Sequence, residues 1–335
     1  MEYRLLGRTG LKVSVIGFGG IPIQRVSDGE VGSILHRALD LGINFFDTAR
    51  GYTDSEAKLG SVLHQRRNEA IIATKSMART AKDMSSDIMA SLKAMRVDYI
   101  DLYQMHNIKN KAALEKVLSP GGALAALQQA KEAGLIRHIG ITGHIKDFLL
   151  ETLQIPEIET VQFPFNPVEA NGVRELLELA GQTETGVIVM KPLAGGAFSN
   201  TSLALRFVLE HPVSTVIPGM DSLQQLEDNV KAGLNQLPLS AQERMQLEEE
   251  VGQLGAVFCR RCEYCRPCRL GIDIPSVFLL DGYYRRYNLQ GWARERYRGL
   301  KATAEQCIGC GECEEKCPYN LPIRKMLAEA SGRLA

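Results

Sequence analysis

Four polar residues in the first third of the chain stand at or just after the ends of short apolar segments. Asp47 ends an apolar Phe-Phe pair, and Tyr52 follows it after a short loop. Lys75 ends the segment IIATK, and His106 ends the segment DLYQMH. Taken singly, these could be a helix cap, a gap-filling tyrosine, a solvated strand end and a buried structural histidine. If the segments are neighbouring strands of a parallel barrel, their carboxyl ends lie side by side and the four side chains converge.

Together, these side chains suit proton delivery to a carbonyl group. A phenol with a pKa of about 10 is a weak acid near neutral pH, and a neighbouring cation lowers that pKa. Lys75 can supply the cation, and Asp47 can keep it charged and oriented. His106 can donate a hydrogen bond that polarises the carbonyl oxygen. The sequence therefore predicts Tyr52 as a general acid that works beside a hydride-donating cofactor.

The eight cysteines all lie in the last 77 residues and form two runs. The second run has the spacing C-x2-C-x2-C-x3-C-P, which ligates [4Fe–4S] clusters in bacterial ferredoxins. The first run ends in x2 and is followed by Arg269 instead of proline. Zinc and disulfides are the alternatives, but this spacing crowds a tetrahedral zinc site and a reducing compartment disfavours disulfides. We therefore predict iron–sulfur ligands at Cys259, Cys262, Cys265, Cys268, Cys307, Cys310, Cys313 and Cys317.

The elements that must position these residues alternate between strand-like and helix-like patterns after a predicted hairpin over residues 3–14. Strand-like segments, rich in valine and isoleucine, cover residues 15–19, 44–48, 70–75, 100–106, 136–142, 160–165, 186–191 and 213–218. Helical patterns cover residues 30–41, 55–65, 84–95, 114–133, 145–153, 173–180, 203–210 and 223–234. Eight such units in about 240 residues predict an α/β fold, a (β/α)8 TIM barrel. The cluster Gly17-Phe-Gly-Gly20 suggests a doubly wound sheet, but it lacks the full dinucleotide-binding spacing.

Charge divides the chain near residue 255. The 335 residues carry no formal net charge, yet the last 80 hold 14 Lys and Arg against 9 Asp and Glu. We therefore predict a barrel domain over residues 1–255 and a small helical ferredoxin-like iron–sulfur domain over residues 256–335. Neutral charge gives no reason to expect nucleic acid as a partner. The sequence shows no apolar run of signal-peptide or membrane-spanning length, so we expect no membrane partner and a cytoplasmic location.

The barrel region resembles the aldo-keto reductase family. The resemblance runs from about residue 3 to residue 234 and rests on six segments in the family's order: FFDTARGYTDSE, IIATK, VDYIDLYQMH, HIGITGH, VQFPFN and VIPGMDSLQQLEDN. It implies a (β/α)8 barrel that binds NADH or NADPH without a doubly wound domain. It also implies that Asp47, Tyr52, Lys75 and His106 form the catalytic tetrad, with Tyr52 as the general acid.

The resemblance further implies cofactor contacts at Thr142, Gly143, Gln162, Met190, Lys191, Pro192, Gly219, Gln225, Asp228 and Asn229. The first three would hold the nicotinamide carboxamide, and Met190 stands where the family often stacks a tyrosine. Gly219 and Gln225 stand where NADPH-preferring members carry Lys and Arg. Loss of those cations should weaken the NADPH preference, although Lys191 could compensate. We therefore expect NADH to be at least competitive with NADPH.

Residues from about 258 to 323 resemble the 4Fe–4S dicluster ferredoxin-type extension found in a subset of aldo-keto reductases. The segments GIDIP and YNLPI, one after each cysteine run, fit this resemblance. In two-cluster ferredoxins the fourth cysteine of each run ligates the other cluster. One cluster would then be held by Cys259, Cys262, Cys265 and Cys317, and the other by Cys307, Cys310, Cys313 and Cys268.

These features predict an NAD(P)(H)-dependent oxidoreductase that interconverts a small carbonyl compound and its alcohol. Its two [4Fe–4S] clusters would serve electron transfer or redox control. The alternatives are an electron-transfer oxidoreductase linked to a ferredoxin or flavodoxin, and a non-catalytic redox sensor with a nucleotide-binding barrel. Residues 283–299 interleave aromatics with arginines. We expect those aromatics to pack near the clusters, with a nucleic-acid surface or a docking face for an acidic carrier as alternatives.

Overall fold

The polypeptide folds into two compact units. The structure, a computed structural model, describes residues 1–235, 237–254, 257–260, 262–286 and 290–335. The first unit comprises Met1–Leu193 and Phe198–Val251, and the second comprises Ala194–Ala197 and Gly252–Ala335. The predicted domain boundary, between residues 255 and 256, lies outside the described residues.

A short antiparallel hairpin precedes the barrel. Strand β1 (Tyr3–Leu5) pairs with β2 (Lys12–Ser14), as the sequence predicts. Between them Gly7 has a φ of +53°, and a Cβ atom there would lie 2.2 Å from the backbone nitrogen of Gly186. Only glycine tolerates both the left-handed backbone and this close approach. Gly7 therefore allows the hairpin to lie directly against the barrel strand that begins at Gly186.

Eight parallel strands form the barrel. They are β3 (Phe18–Gly19), β4 (Phe45–Asp47), β5 (Ile71–Ser76), β6 (Ile100–Met105), β7 (Ile136–Thr142), β8 (Thr160–Pro164), β9 (Gly186–Met190) and β10 (Thr215–Ile217). Neighbours pair in chain order. Parallel bridges from Ile16 to Val216 and from Gly19 to Gly219 join the first strand region to the last. The predicted TIM barrel is confirmed and the doubly wound alternative is wrong, although the first strand is shorter than predicted.

Helices follow the strands, and one predicted helix is wrong. The helices that begin in this unit are α1 (Asp28–Asp40), α2 (Ser55–Leu63), α3 (Ala81–Met95), α4 (Lys111–Leu118), α5 (Ala123–Glu132), α6 (Lys146–Thr152), α7 (Val173–Gln182), α8 (Thr201–Leu209), α9 (Leu223–Leu234) and α10 (Ala241–Leu254). The helix predicted over residues 114–133 is instead divided between α4 and α5. Pro120 disfavours helical backbone at Ser119, which is extended with a ψ of 159°. At Gly122 a Cβ atom would lie 2.4 Å from the carbonyl oxygen of Lys116, so glycine is required.

The barrel interior is layered. The lower layer is apolar and joins strand side chains to Leu6 and Val13 of the hairpin region: Phe45, Ala73, Leu102, Ile188 and Ile217. Side chains alternate between the two faces of a strand, so the residue two positions later points the same way. On β4, β5 and β6 those residues are Asp47, Lys75 and Gln104. A polar layer therefore follows the apolar one toward the carboxyl ends of the strands.

The described part of the second unit contains helices and no strand. Its helices are α11 (Ile274–Arg286), α12 (Gln290–Arg298), α13 (Glu312–Glu315) and α14 (Ile323–Leu334). Tyr297 is buried in the same core as Cys265 and Cys313, as expected for the aromatics of this region. Trp292 departs from that expectation, because it is 37% exposed and Arg296 covers its ring at 3.9 Å. Tyr287 lies outside the described residues.

A four-residue segment that follows β9 in sequence belongs to the second unit. Within this segment, Ala194–Ala197, Gly195 has a φ of +70°, and a Cβ atom there would lie 2.6 Å from the carbonyl oxygen of Arg260. The segment thus packs directly on the backbone beside the first cysteine run. Across both units, none of the described helices combines the length and apolar character needed to cross a membrane.

Gly60 sets the close packing of α2 on α3, and its substitution tests that packing. A Cβ atom at Gly60 would lie 2.5 Å from the Cα atom of Met95 and 2.6 Å from its carbonyl oxygen. We expect Gly60→Ala to lower the free energy of unfolding by about 1–3 kcal/mol, because backbone atoms must move to admit the methyl group.

Gly32→Ala on α1 is the matched control, since nothing lies within 4 Å of a Cβ atom at that position. Its helix propensity should raise the free energy of unfolding by about 0.5–1 kcal/mol. Urea unfolding followed by far-ultraviolet circular dichroism measures both variants. Equal stability of the two variants would contradict the tight contact.

Candidate functional site

A buried ion pair forms the floor of the barrel mouth. Lys75 Nζ donates to Asp47 Oδ1 at 2.6 Å and to the carbonyl oxygen of Thr48 at 2.8 Å. The side chains of Lys75 and Asp47 are 1% and 4% exposed. They meet because β4 and β5 are neighbours, and the last residue of β4 and the second-last residue of β5 are charged and point into the barrel.

Tyr52 and His106 complete the group. The Nζ atom of Lys75 lies 5.2 Å from the centroid of the Tyr52 ring. The rings of Tyr52 and His106 meet edge to face, with centroids 6.1 Å apart. The structure therefore brings together all four side chains of the predicted tetrad. Asp47 and Lys75 lie at the carboxyl ends of two adjacent strands, His106 directly follows β6, and Tyr52 lies in the loop after β4.

Burial controls the charges at this mouth. It raises the pKa of Asp47 and lowers the pKa of Lys75, and each partner's opposite charge counteracts the shift of the other. Burial, followed by the cation of Lys75, holds the pKa of His106 well below 6.5. His106 is therefore a neutral imidazole near pH 7, which can donate one hydrogen bond without carrying a charge.

Gln104 is a polar residue of the mouth that the sequence analysis missed. Its Nε2 atom donates to Gln162 Oε1 at 2.8 Å and approaches Asp47 Oδ2 at 3.4 Å. Gln162 also hydrogen-bonds Asp47 and so helps to hold the pKa of that carboxyl down against burial. The signal was present in the sequence, because Gln104 precedes His106 by two positions and two-residue alternation places both on the same face of β6.

Two cavities in the second unit are lined by the cysteines. One is lined by Cys259, Cys262, Cys265 and Cys317, together with Arg260 and Tyr319. The other is lined by Cys268, Cys307, Cys310 and Cys313, and Cys265 also reaches it. Each cavity thus gathers three thiols of one run and the fourth thiol of the other.

The thiols fit a cationic metal core. Burial, followed by the nearby Cys259 and Cys262, raises the pKa of Cys265 to about 12. Burial likewise raises the pKa of Cys313. Several thiolates around one cavity repel one another unless positive charge lies between them, and iron supplies that charge. The donor set therefore suits an iron–sulfur cluster in each cavity.

A buried guanidinium distinguishes the first cavity. Arg260 is 8% exposed, and its side chain lies between the rings of Phe258 and Tyr319 at 4.3 and 4.4 Å. Its Nη1 atom donates to the carbonyl oxygen of Phe258 at 3.0 Å. The second cavity is lined instead by Arg269 and Glu312, which pair with each other, and it includes the exposed Cys310.

Comparison with known proteins assigns the family. The model described as "Aldo/keto reductase family" matches residues 15–203. The chain belongs to this family. A second model, described as "4Fe-4S dicluster domain", matches residues 258–322. Both resemblances found in the sequence are thereby confirmed.

Individual relatives agree with this assignment. L-galactose dehydrogenase from Arabidopsis thaliana is 30% identical over 283 residues, which are 69% of this chain and 88% of that protein. The 6-dehydroglucose reductase of Novosphingobium aromaticivorans is 29% identical over 232 residues, 60% of this chain and 72% of that protein. A solved aldo-keto reductase from Bacillus halodurans, in its holo form, has a TM-score of 0.66 and 26% identity, covering 75% of this chain and 96% of that chain. The protein is thus an aldo-keto reductase-type oxidoreductase, and the two matched families imply a nicotinamide cofactor and iron–sulfur.

Of the predicted carboxamide contacts of this aldo-keto reductase, Gln162 lies in the polar layer, where it accepts from Gln104. Thr142 Oγ1 accepts a hydrogen bond from the backbone nitrogen of Asn107 at 2.9 Å, which leaves its own hydrogen for another acceptor. At Gly143 a Cβ atom would lie 2.8 Å from the carbonyl oxygen of Ile108. Gln104 Oε1 and Asn107 Oδ1 are buried acceptors without a hydrogen-bond partner among the described residues. The role of these groups toward a nicotinamide stays a prediction.

The other predicted cofactor contacts lie after β9 and β10. Met190 and Lys191 are half-buried, Lys191 has a φ of +54°, and Pro192 is buried. Gly219 and Gln225 are exposed, and Gln225 Oε1 accepts from the backbone nitrogen of Asp221 at 3.0 Å. Asp228 accepts from Gln224 at 2.9 Å, and Asn229 is buried. Their roles toward a cofactor stay predictions.

Proposed function

We propose that this protein catalyses the NAD(P)(H)-dependent interconversion of a carbonyl compound and its alcohol, with Tyr52 as the general acid in reduction and the general base in oxidation. The observation that carries this proposal is the convergence of Tyr52, His106 and the Lys75–Asp47 ion pair at one barrel mouth. A nicotinamide bound there supplies or accepts the hydride.

Each side chain has one task in the proposed reduction. Tyr52 gives its hydroxyl proton to the carbonyl oxygen as that oxygen gains negative charge. The cation of Lys75 stabilises the phenolate left behind, and Asp47 keeps Lys75 in place. Neutral His106 donates a hydrogen bond to the same oxygen without competing as an acid. Thr142, Gly143 and Gln162 would hold the nicotinamide carboxamide.

We also propose two [4Fe–4S] clusters, one in each thiol cavity. The crosswise lining of the cavities supports the ligand sets Cys259, Cys262, Cys265, Cys317 and Cys268, Cys307, Cys310, Cys313. Such clusters exchange single electrons and serve here in electron transfer or redox control, with a ferredoxin or flavodoxin as a candidate carrier.

The substrate is proposed to be a small carbonyl compound or its alcohol. Two relatives are named for sugars, L-galactose dehydrogenase and 6-dehydroglucose reductase. A substrate screen should therefore begin with aldoses and oxidised sugars before it moves to simpler aldehydes and ketones.

Tyr52→Phe tests the general acid. We expect it to lower kcat for carbonyl reduction by about 10²- to 10⁴-fold, because the proton donor is lost, while NADH binding followed by fluorescence stays intact. Tyr99→Phe is the matched control, since that ring packs between Arg67 and Arg137 away from the tetrad. Full turnover by Tyr52→Phe would overturn the assignment.

Steady-state kinetics with both nicotinamides test the cofactor preference. We expect kcat/KM with NADH to equal or exceed the value with NADPH. Gln225→Arg should shift the ratio toward NADPH, because a guanidinium pairs with the 2′-phosphate. Gln224→Arg, which adds the same charge one position earlier, should shift it less. A 100-fold advantage of the unaltered protein for NADPH would contradict the prediction.

Iron and sulfide analysis of anaerobically purified protein tests the clusters. We expect about eight iron and eight sulfide per chain. Paired substitutions test the crosswise ligand sets. Cys259→Ser with Cys317→Ser should remove one cluster and leave about four iron, whereas Cys259→Ser with Cys268→Ser should remove both. The reverse pattern would mean that each run serves its own cluster.

A further inference from the structure

Glu56 is a buried carboxylate in the first turn of α2 that takes no part in the proposed proton transfer. It is 2% exposed, and both of its oxygens are bound. Oε1 accepts from the hydroxyls of Thr74 and Ser91, each at 2.8 Å. Oε2 pairs with Arg50 Nη1 at 2.5 Å. One carboxylate therefore joins a strand, a helix and a loop.

Two partners of Glu56, Arg50 and Thr74, are close to tetrad residues in sequence. Arg50 stands between Asp47 and Tyr52 in sequence, and its backbone nitrogen donates to the carbonyl oxygen of Lys75 at 3.0 Å. Thr74 immediately precedes Lys75 on β5, so the pleat sends Thr74 to the outer face and Lys75 into the barrel. Glu56 therefore binds the outer face of β5, and Lys75 projects from the inner face of the same strand.

The contact with α3 extends this network to the next strand. The hydroxyl of Ser91 lies 3.1 Å from the hydroxyl of the buried Tyr103. Tyr103 directly precedes Gln104 on β6, which donates into the polar layer. Glu56 therefore contacts the outer face of β5 through Thr74 and the loop that carries Tyr52 through Arg50. Through Ser91 it is also connected to Tyr103 on the outer face of β6.

We propose that Glu56 is a positioning residue for carbonyl reduction: through Arg50 and Thr74 it fixes the Tyr52 loop against the strand that carries Lys75. This inference rests on the proposed function. Its partners also explain why the group is charged and buried, because an ion pair with two further hydrogen bonds compensates the desolvation of the carboxylate.

The charge of Glu56 also acts on the lysine. Burial lowers the pKa of Lys75, and the negative charges of Asp47 and Glu56 oppose that shift. The other charged or titratable groups that face this network are Arg50, Asp87, Tyr103, Tyr52, His106 and Lys191. Removal of the negative charge at Glu56 should therefore lower the pKa of Lys75, because one of the two charges that oppose the effect of burial is lost.

Glu56→Gln tests both effects. It preserves the size of the side chain and an oxygen that can accept from Thr74 and Ser91, but it removes the charge that holds Arg50. We expect kcat to fall about 10- to 100-fold, because the Tyr52 loop loses its anchor, with KM for the carbonyl little changed. The alkaline limb of the kcat profile should move to lower pH. A limb that stays in place would overturn the electrostatic part of the proposal, and an unchanged kcat would overturn the positioning part.

Arg50→Gln is the second variant, and it keeps the proposal testable if Glu56→Gln fails to fold. It removes the other partner of the same ion pair, and the Arg50 side chain is partly exposed whereas that of Glu56 is buried. We expect kcat to fall here too, but with the alkaline limb moved to higher pH, because a positive charge is lost. Movement of the limb in the same direction in both variants would refute the proposal.

Asp101→Asn is the matched control for loss of a buried, paired carboxylate. Asp101 pairs with Arg67 at 2.7 Å and accepts from the backbone nitrogen of Ile72 at 2.8 Å, near the amino ends of β5 and β6. We expect its kcat and pH profile to match those of the unaltered protein. A loss of kcat as large as that of Glu56→Gln would show a general packing effect and overturn the proposal.

A measurement without turnover separates this proposal from the proposed function. In protein labelled with ¹³C at the tyrosine ring, the Tyr52 signal is assigned by its disappearance in Tyr52→Phe. We expect it to titrate at lower pH in Glu56→Gln and at higher pH in Arg50→Gln. Unshifted titration in both variants refutes the role of Glu56. Full turnover by Tyr52→Phe refutes the reaction assignment whatever the titration shows.

Discussion

The Lys75–Asp47 ion pair is the interaction on which the barrel mouth depends. Taking one charged group out of water costs several kcal/mol, and removal of its partner would cost about 3–5 kcal/mol. The pair is stable because the carbonyl oxygen of Thr48 also accepts from Lys75, while amide groups of Gln104 and Gln162 bind Asp47. Thr48 directly follows β4, Gln104 lies on β6 and Gln162 lies on β8. The strands must therefore end in the correct register if the buried ion pair is to keep these partners. Lys75 lies opposite Gln104 in the pairing of β5 with β6.

The sequence predicted the convergence of the tetrad because that convergence follows from local patterns. A strand that ends on a polar residue places that residue at the barrel mouth. Because the strands are parallel and adjacent, the residues at their carboxyl ends lie close together. Gln104 obeyed the same alternation rule and could have been found. The bond of Gln162 to Asp47 was not predictable, because β8 and β4 are not neighbours and meet only across the closed interior. Apolar periodicity continues on both sides of residues 119–122, which is why one helix was predicted where two exist.

The cysteine region shows a similar division between what spacing predicts and what requires three dimensions. The spacing predicted two groups of iron ligands, but it carried no information on their surroundings. Arg260 is held between two rings in the wall of one cavity, while the other includes the exposed Cys310 and borders Ile308, which is 64% exposed. Solvent access and nearby charge are the main protein influences on a cluster's reduction potential. The two sites therefore offer unequal electronic environments within one small fold.

The membership of Ala194–Ala197 in the second unit has a consequence for how the protein can be dissected. These residues lie between β9 and α8 in sequence, yet Gly195 packs on the backbone of Arg260. A truncation after residue 251 would leave this internal loop without the surface on which it folds. A cut at residue 251 would thus separate Ala194–Ala197 from the other residues of their unit. The second unit therefore consists of two separate segments of the chain, and one of them lies within the sequence of the barrel.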